Sequence, residues 1–165
     1  MDGLSRRVFY SFHYKVDAWR ASQVRNAGIV QGNRPASDND WEAVKRGGEA
    51  AIRRWIAGQL VGKSCIVVLI GSATASRKWI KYEIGEGWIE GKGVFGVYVH
   101  NLKDQRGNRS AKGRNPFEDL TLDGKPLSSI VRAHDPGGLF SDAYSDIKNN
   151  LARWVEEAIQ IRVEH

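Results

Sequence analysis

The segment Gly71–Gly91, GSATASRKWIKYEIGEGWIEG, holds the residues best placed for chemistry. Glu83 lies four positions after Trp79 and three before Glu86, so in a helix all three share one stripe. Trp79 then offers a flat apolar wall one turn below the Glu83 carboxylate. Spacing alone is also satisfied by a helix with Ile80, Ile84 and Trp88 inward and its glutamates in water. A second stretch, Arg7–Tyr14 (RVFYSFHY), places Ser11, Phe12, His13 and Tyr14 at the end of an apolar run. Aromatic rings there can stack on a base, and Ser11 and His13 can hydrogen-bond a ribose or phosphate. The plainer reading makes Phe9 and Phe12 core and His13 a loop residue. A third stretch, Lys103–Arg114, sets Lys103, Arg106, Arg109, Lys112 and Arg114 against the single acid Asp104. It can hold a pyrophosphate, or simply be a solvated basic loop.

Other chemistries lack their residues. There is no GxxxxGK[ST] phosphate loop, no GxSxG elbow and no HExxH. Gly85-Glu86-Gly87 begins like a dinucleotide fingerprint, but its third glycine is misplaced and the segment is helical. The four histidines are scattered, and Cys65 is the one cysteine, so neither a disulfide nor a Cys₄ or Cys₂His₂ zinc site can be built. No metal site is expected, and Cys65 reads as inert packing.

The elements that must position these residues follow from the patterning. Val8–Phe12 reads as a first strand. Asp17 is expected to cap a helix running to about Ala27, with Trp19, Val24 and Ala27 as a weak apolar stripe and Gly28 as its stop. Ile29–Val30 reads as a short strand and Gln31–Asn39 as a polar loop. Ser37 or Asp38 caps a second helix with Trp41, Val44, Ala51, Ile52, Trp55 and Ile56 at helical spacing, kinked at Gly47-Gly48. Ser64–Ile70 is almost wholly apolar, as a central parallel strand must be. A third helix over about Arg77–Glu90 and a strand at Val94–Val99 follow, then a short strand near Ser129–Arg132. Ser141 caps a last helix whose buried face is Tyr144, Ile147, Leu151, Trp154, Val155 and Ala158. Alternating strands and helices imply a parallel sheet covered on both faces. Ligands of such sheets bind outside the carboxyl ends of the strands where strand order reverses, here the loops after Phe12 and Ile70.

At 165 residues the chain suits one domain, and a hydrophobic content of 41% with 27% charged residues is that of a globular protein. The net charge of +6 favours anionic partners without choosing among them. The lone cysteine suits a reducing compartment, and Met1–Arg7 has no apolar signal core, so a cytoplasmic protein is expected. No apolar run approaches the ~20 residues that span a bilayer, so no membrane partner is expected.

Taken in order, RVFYSFHY, DAWRASQVRN, DNDWEAVK, CIVVLIGSATASRKWIKYEI and the NPF after the basic loop resemble the TIR-like domains of bacterial Thoeris anti-phage systems. The resemblance runs from about Arg6 to Phe117 and fades beyond it, apart from a closing amphipathic helix. It implies one TIR-like domain over residues 1–165: a core at about 6–117, a variable region at 118–140 and a C-terminal helix at 141–161. The implied fold is α/β and flavodoxin-like, a central, mostly parallel five-stranded sheet with helices on both faces.

The implied activity is that of an NAD glycohydrolase or ADP-ribosyl cyclase. NAD is cleaved, and a cyclic or modified ADP-ribose activates a separate effector. The family's catalytic glutamate lies in W-[IV]-[KR]-Y-E-I, which assigns that role to Glu83. By the same resemblance Trp79 lines the nicotinamide or ribose side, and the loop Ser11, Phe12, His13 meets the substrate. NAD enters as substrate, with no cofactor. The segment before Trp41 would gate the site and mediate self-association on activation, although GNRPASDND departs from the family there. A non-catalytic TIR-like interaction module is the alternative. A nucleic-acid partner is not expected, because the basic loop lacks interleaved aromatics.

Overall fold

Strand and helix alternate along the chain as the patterning requires. The computed structural model describes residues 6–27, 30–32, 43–138 and 141–165. Its elements are β1 (Arg7–Ser11), α1 (Tyr14–Asn26), β2 (Gln31–Gly32), α2 (Gly48–Leu60), β3 (Cys65–Ile70), α3 (Lys78–Ile89) and β4 (Gly93–Tyr98). A small hairpin, β5 (Thr121–Leu122) with β6 (Lys125–Pro126), precedes β7 (Ala133–His134) and α4 (Ala143–Glu164).

The main sheet has five strands in the order β2-β1-β3-β4-β7, and every pairing is parallel. Each strand's side chains alternate between two cores. Cys65, Val67 and Leu69 of β3 join the residues of α1 and α4, whereas Ile66, Val68 and Ile70 join those of α2 and α3. All six are buried, which accounts for the unbroken apolar run. β1 alternates in the same way: Val8 and Tyr10 face α1 and α4, and Phe9 faces α2 and α3. Ser11, two residues beyond Phe9, therefore points toward α3.

On α3 the buried residues are Ile80, Ile84, Gly87 and Trp88. Gly87 lets the helix lie directly on β3, because a Cβ there would run into the Ile66 side chain. The inward slots of such a stripe fall at i, i+3, i+4, i+7 and i+8, which here are 80, 83, 84, 87 and 88. Glu83 thus fills a slot that an apolar residue would ordinarily take.

Several expectations require correction. α1 begins at Tyr14 after an N-cap at His13, so Asp17 lies inside the helix and does not cap it. Its buried stripe is Asp17, Arg20, Ala21 and Val24, and Trp19 is 53% exposed. The period is helical, but two of its four members are charged, so apolar residues alone misplace the face. The second strand is Gln31–Gly32, one step beyond Ile29–Val30. The strand expected near Ser129–Arg132 forms at Ala133–His134. Asp142, accepting from the Ser145 N–H at 2.9 Å, caps α4 in place of Ser141, and Tyr144 lies outside the buried face. The break at Gly47-Gly48 is present, with Gly48 at φ +84°. Gly28, Ile29, Ser37, Asp38, Trp41 and the 33–40 part of the expected gating loop lie outside the described residues. Among the described residues no helix is long and apolar enough to cross a membrane.

Candidate active site at the ends of β1 and β3

The chain leaves β1 through α1 to β2 on one side, and later returns to β3 on the other. Strand order reverses between β1 and β3, and the splayed loops beyond their carboxyl ends are where such sheets hold ligands. Ser11 closes β1 and is 1% exposed. Its Oγ donates a hydrogen bond to Glu83 Oε1 at 3.3 Å. Glu83 retains partial solvent contact, yet protein surrounds its carboxyl densely enough to desolvate it. Desolvation raises its pKa from 4.5 to about 8, with the Ser11 hydrogen bond pulling the other way. Among the described residues no cation forms an ion pair with it.

Trp79, one turn earlier on α3, is half-buried. The Tyr82 ring stands edge-on to it at 5.5 Å, and Lys78 Nζ lies 5.0 Å from the indole centroid. Trp79 also lines a crevice of about 300 Å³ with Lys45, Gly48, Glu49, Ile52 and Arg77. Glu83 is not among the lining residues of that crevice and reaches the site from the next turn of α3.

The other expected site residues divide. Ser11 meets Glu83, and its buried hydroxyl is engaged there. Phe12 packs against the opposite core and stacks on Tyr14 at 6.2 Å, so the structure does not bring it to Glu83. His13 sits partly exposed at the start of α1. Its imidazole is pulled below its usual pKa, first by burial and then by Arg77, which favours the neutral form.

Two charged residues are buried within α1. Asp17 is fully buried with its pKa raised to about 6 by desolvation. Arg20 is buried and ties the segment after β4 to α1. Its Nε donates to the Leu102 carbonyl at 2.8 Å and its Nη2 to the Asn108 carbonyl at 2.9 Å. The polar members of the α1 stripe were the available signal. The basic loop is likewise partly committed: Lys112 pairs with Asp135 at 2.9 Å, and Arg114 grips Asp119 through two bonds of 2.9 and 2.6 Å. Burial raises the Cys65 thiol pKa, consistent with packing.

Comparison with known proteins decides the family. The family described as Thoeris protein ThsB, TIR-like domain, matches residues 9–104, more than half the chain, from the end of β1 through β3, α3 and β4. The chain belongs to the Thoeris ThsB TIR-like family. It is also similar to a protein of Bacillus cereus (strain MSX-D12) named "Putative cyclic ADP-D-ribose synthase ThsB1", at 38% identity over 133 residues. That match takes in 75% of this chain and 69% of the relative. For this Thoeris TIR-like protein, the five-stranded parallel sheet with helices on both faces is the α/β architecture the resemblance implied.

The Ser11 hydroxyl has a measurable expected effect. A neutral donor contributes about 0.5–1.5 kcal/mol, which corresponds to up to about one pH unit. Ser11→Ala should therefore move the Glu83 titration further upward by up to that amount, read by NMR of ¹³C-labelled glutamate carboxyls. An unmoved midpoint would mean that the hydroxyl does not stabilise the carboxylate.

Proposed function

We propose that this protein cleaves NAD at the nicotinamide–ribose bond and releases a cyclic or otherwise modified ADP-ribose that activates a separate effector in anti-phage defence. The observation that carries the reading is Glu83: a carboxyl in an inward helical slot, desolvated, without a described cation, held by Ser11 at the strand-order reversal. The name of the Bacillus cereus relative supports the product class.

One carboxylate suffices for this chemistry. The nicotinamide of NAD is already cationic, and it leaves with the C1′–N bonding pair as a neutral molecule. No acid need protonate it, unlike the leaving group of an ordinary glycoside. Positive charge then develops on the ribosyl carbon, and the Glu83 carboxylate stabilises it. A nucleophilic atom of the adenosine half closes the ring, and any proton it carries is released. Attack by water gives ADP-ribose instead. Excluding water from the crevice favours closure. The nicotinamidium also prepares its own catalyst, since a cation beside Glu83 favours the ionised form. In this reading Trp79 bears against the nicotinamide or its ribose, and His13 meets the substrate. Self-association on activation completes the reading.

The rival reading, a non-catalytic interaction module, draws on Val16 and Trp19 of α1, which are 44% and 53% exposed. Purified protein incubated with NAD, with and without extract of infected cells, separates the two. We expect nicotinamide together with a product one water lighter than ADP-ribose. Trp79→Ala should raise KM about tenfold or more while lowering Tm by a few degrees at most. Absence of nicotinamide under both conditions would reject the enzyme in favour of the module.

A further inference from the structure

The crevice beside Trp79 has a charge pattern that the carboxylate chemistry leaves unexplained. Its floor is Ile52, 6% exposed, and its rim carries Lys45 and Arg77. Among the described residues that line it the one acid, Glu49, is already neutralised: it pairs with Lys78 and, at 3.5 Å, with Arg53. The Arg77 guanidinium, in contrast, makes no ion pair or hydrogen bond among the described residues. The crevice therefore presents an unmet positive charge in the form of a planar fork suited to phosphate oxygens. At about 300 Å³ it lies at the small end of ligand pockets and would take part of a dinucleotide.

Its position along α3 says which part. Arg77 and Glu83 are separated by about 9 Å of helix rise, with Trp79 between them. In a nucleoside 5′-diphosphate the ribose ring and its 5′ carbon separate the anomeric centre from the phosphates. A ribose with its anomeric carbon at Glu83 thus directs its phosphates along α3 toward Arg77. We propose that Arg77 and Lys45 form the subsite for the diphosphate of the substrate, with Arg77 as the principal contact. This deepens the NAD-cleaving reading and rests on it for the identity of the ligand. It also moves the phosphate site away from the basic loop after β4, where Lys112 and Arg114 are already paired with Asp135 and Asp119.

Calorimetric titration with ADP-ribose, inorganic pyrophosphate and phosphate-free nicotinamide riboside tests the assignment. Losing a hydrogen bond between charged groups should weaken ADP-ribose binding by about ten- to hundredfold in Arg77→Gln. We expect a several-fold loss in Lys45→Gln and unchanged riboside binding in both. The double variant Arg106→Gln with Arg109→Gln should bind ADP-ribose like the wild type. Both positions are exposed, and an unchanged Tm confirms the fold. Wild-type affinity in Arg77→Gln, a loss confined to the loop variant, or no ADP-ribose binding by the wild-type protein would each overturn the subsite, even if NAD cleavage stands. Conversely, Arg77-dependent binding of ADP-ribose and pyrophosphate without nicotinamide release under any condition would keep the subsite and defeat the NAD-cleaving reading.

Discussion

Glu83→Gln should remove nicotinamide release and at the same time raise the melting temperature at alkaline pH. Both effects have one origin. The amide is nearly isosteric and can still accept from Ser11, but it carries no charge to stabilise the ribosyl centre. A loss of about 10²- to 10³-fold or more in kcat is the scale for removing a preorganised electrostatic partner. The stability effect follows from the raised pKa. Below about pH 4.5 the carboxyl is neutral both folded and unfolded, and it costs nothing. As pH rises from 4.5 to about 8 the unfolded chain ionises first, so stability falls; above 8 the full penalty persists. That penalty is on the order of a few kcal/mol, and each kcal/mol moves Tm by roughly 2–4 °C in a domain of this size. Glu83→Gln should therefore gain several degrees at pH 9 and little at pH 5. Equal gains at both pH values would detach the effect from ionisation, and near-normal NAD cleavage by the variant would remove Glu83 from the chemistry. A group that weakens the fold where it is ionised, and is kept there, is what a site built for function and not for stability would hold.

How far this was legible in the sequence depends on which physical signal each residue carries. Cys65–Ile70 announces itself because a strand covered on both faces must be apolar throughout. α3 is legible because Ile80, Ile84 and Trp88 keep helical period. The role proposed for Glu83 comes from the resemblance, although the stripe contains a signal of its own, a carboxyl in the slot between Ile80 and Ile84. The Ser11 contact was not legible. It depends on which face of β1 meets α3, and that is fixed only once Phe9 is assigned to the α2–α3 core. Arg77 and Lys45 lie far apart in the chain, so their juxtaposition needs the packing of the segment before α2 against the start of α3. β5 and β6 are too short to alternate, yet their turn was in view: Asp123-Gly124 adopts the positive φ values, 52° and 79°, that such a dipeptide favours in a hairpin. α1 misled for the opposite reason, since Asp17 and Arg20 occupy the inward face that Trp19 was expected to fill.

Gly71→Ala should cost stability and activity together, because of that buried Asp17. Gly71 follows the last residue of β3, and a Cβ added there would lie 2.5 Å from Asp17 Cγ and closer still to Oδ2. The colliding group has no room to swing aside. It is short and fully buried, and among the described residues neither oxygen has a hydrogen-bond partner, with Arg20 Nη1 3.6 Å away. Relief would require α1 to shift, and Arg20 would carry the Leu102 and Asn108 carbonyls with it. Overpacking of this kind costs about 1–3 kcal/mol, which lowers Tm by several degrees here. The displaced segment runs from Gly71 to the start of α3, so the crevice wall at Arg77 and Trp79 moves as well, and NAD cleavage should fall. Asp17→Ala removes the obstacle. Gly71→Ala should then cost at least about 1 kcal/mol less in that background, the coupling expected of residues in contact. Denaturant unfolding of the four proteins of this cycle measures the term. If the two substitutions prove additive, collision with Asp17 is not the reason this position is glycine, and the junction of α1 with the β3–α3 loop would have to owe its geometry to something other than a buried carboxyl packed against bare backbone.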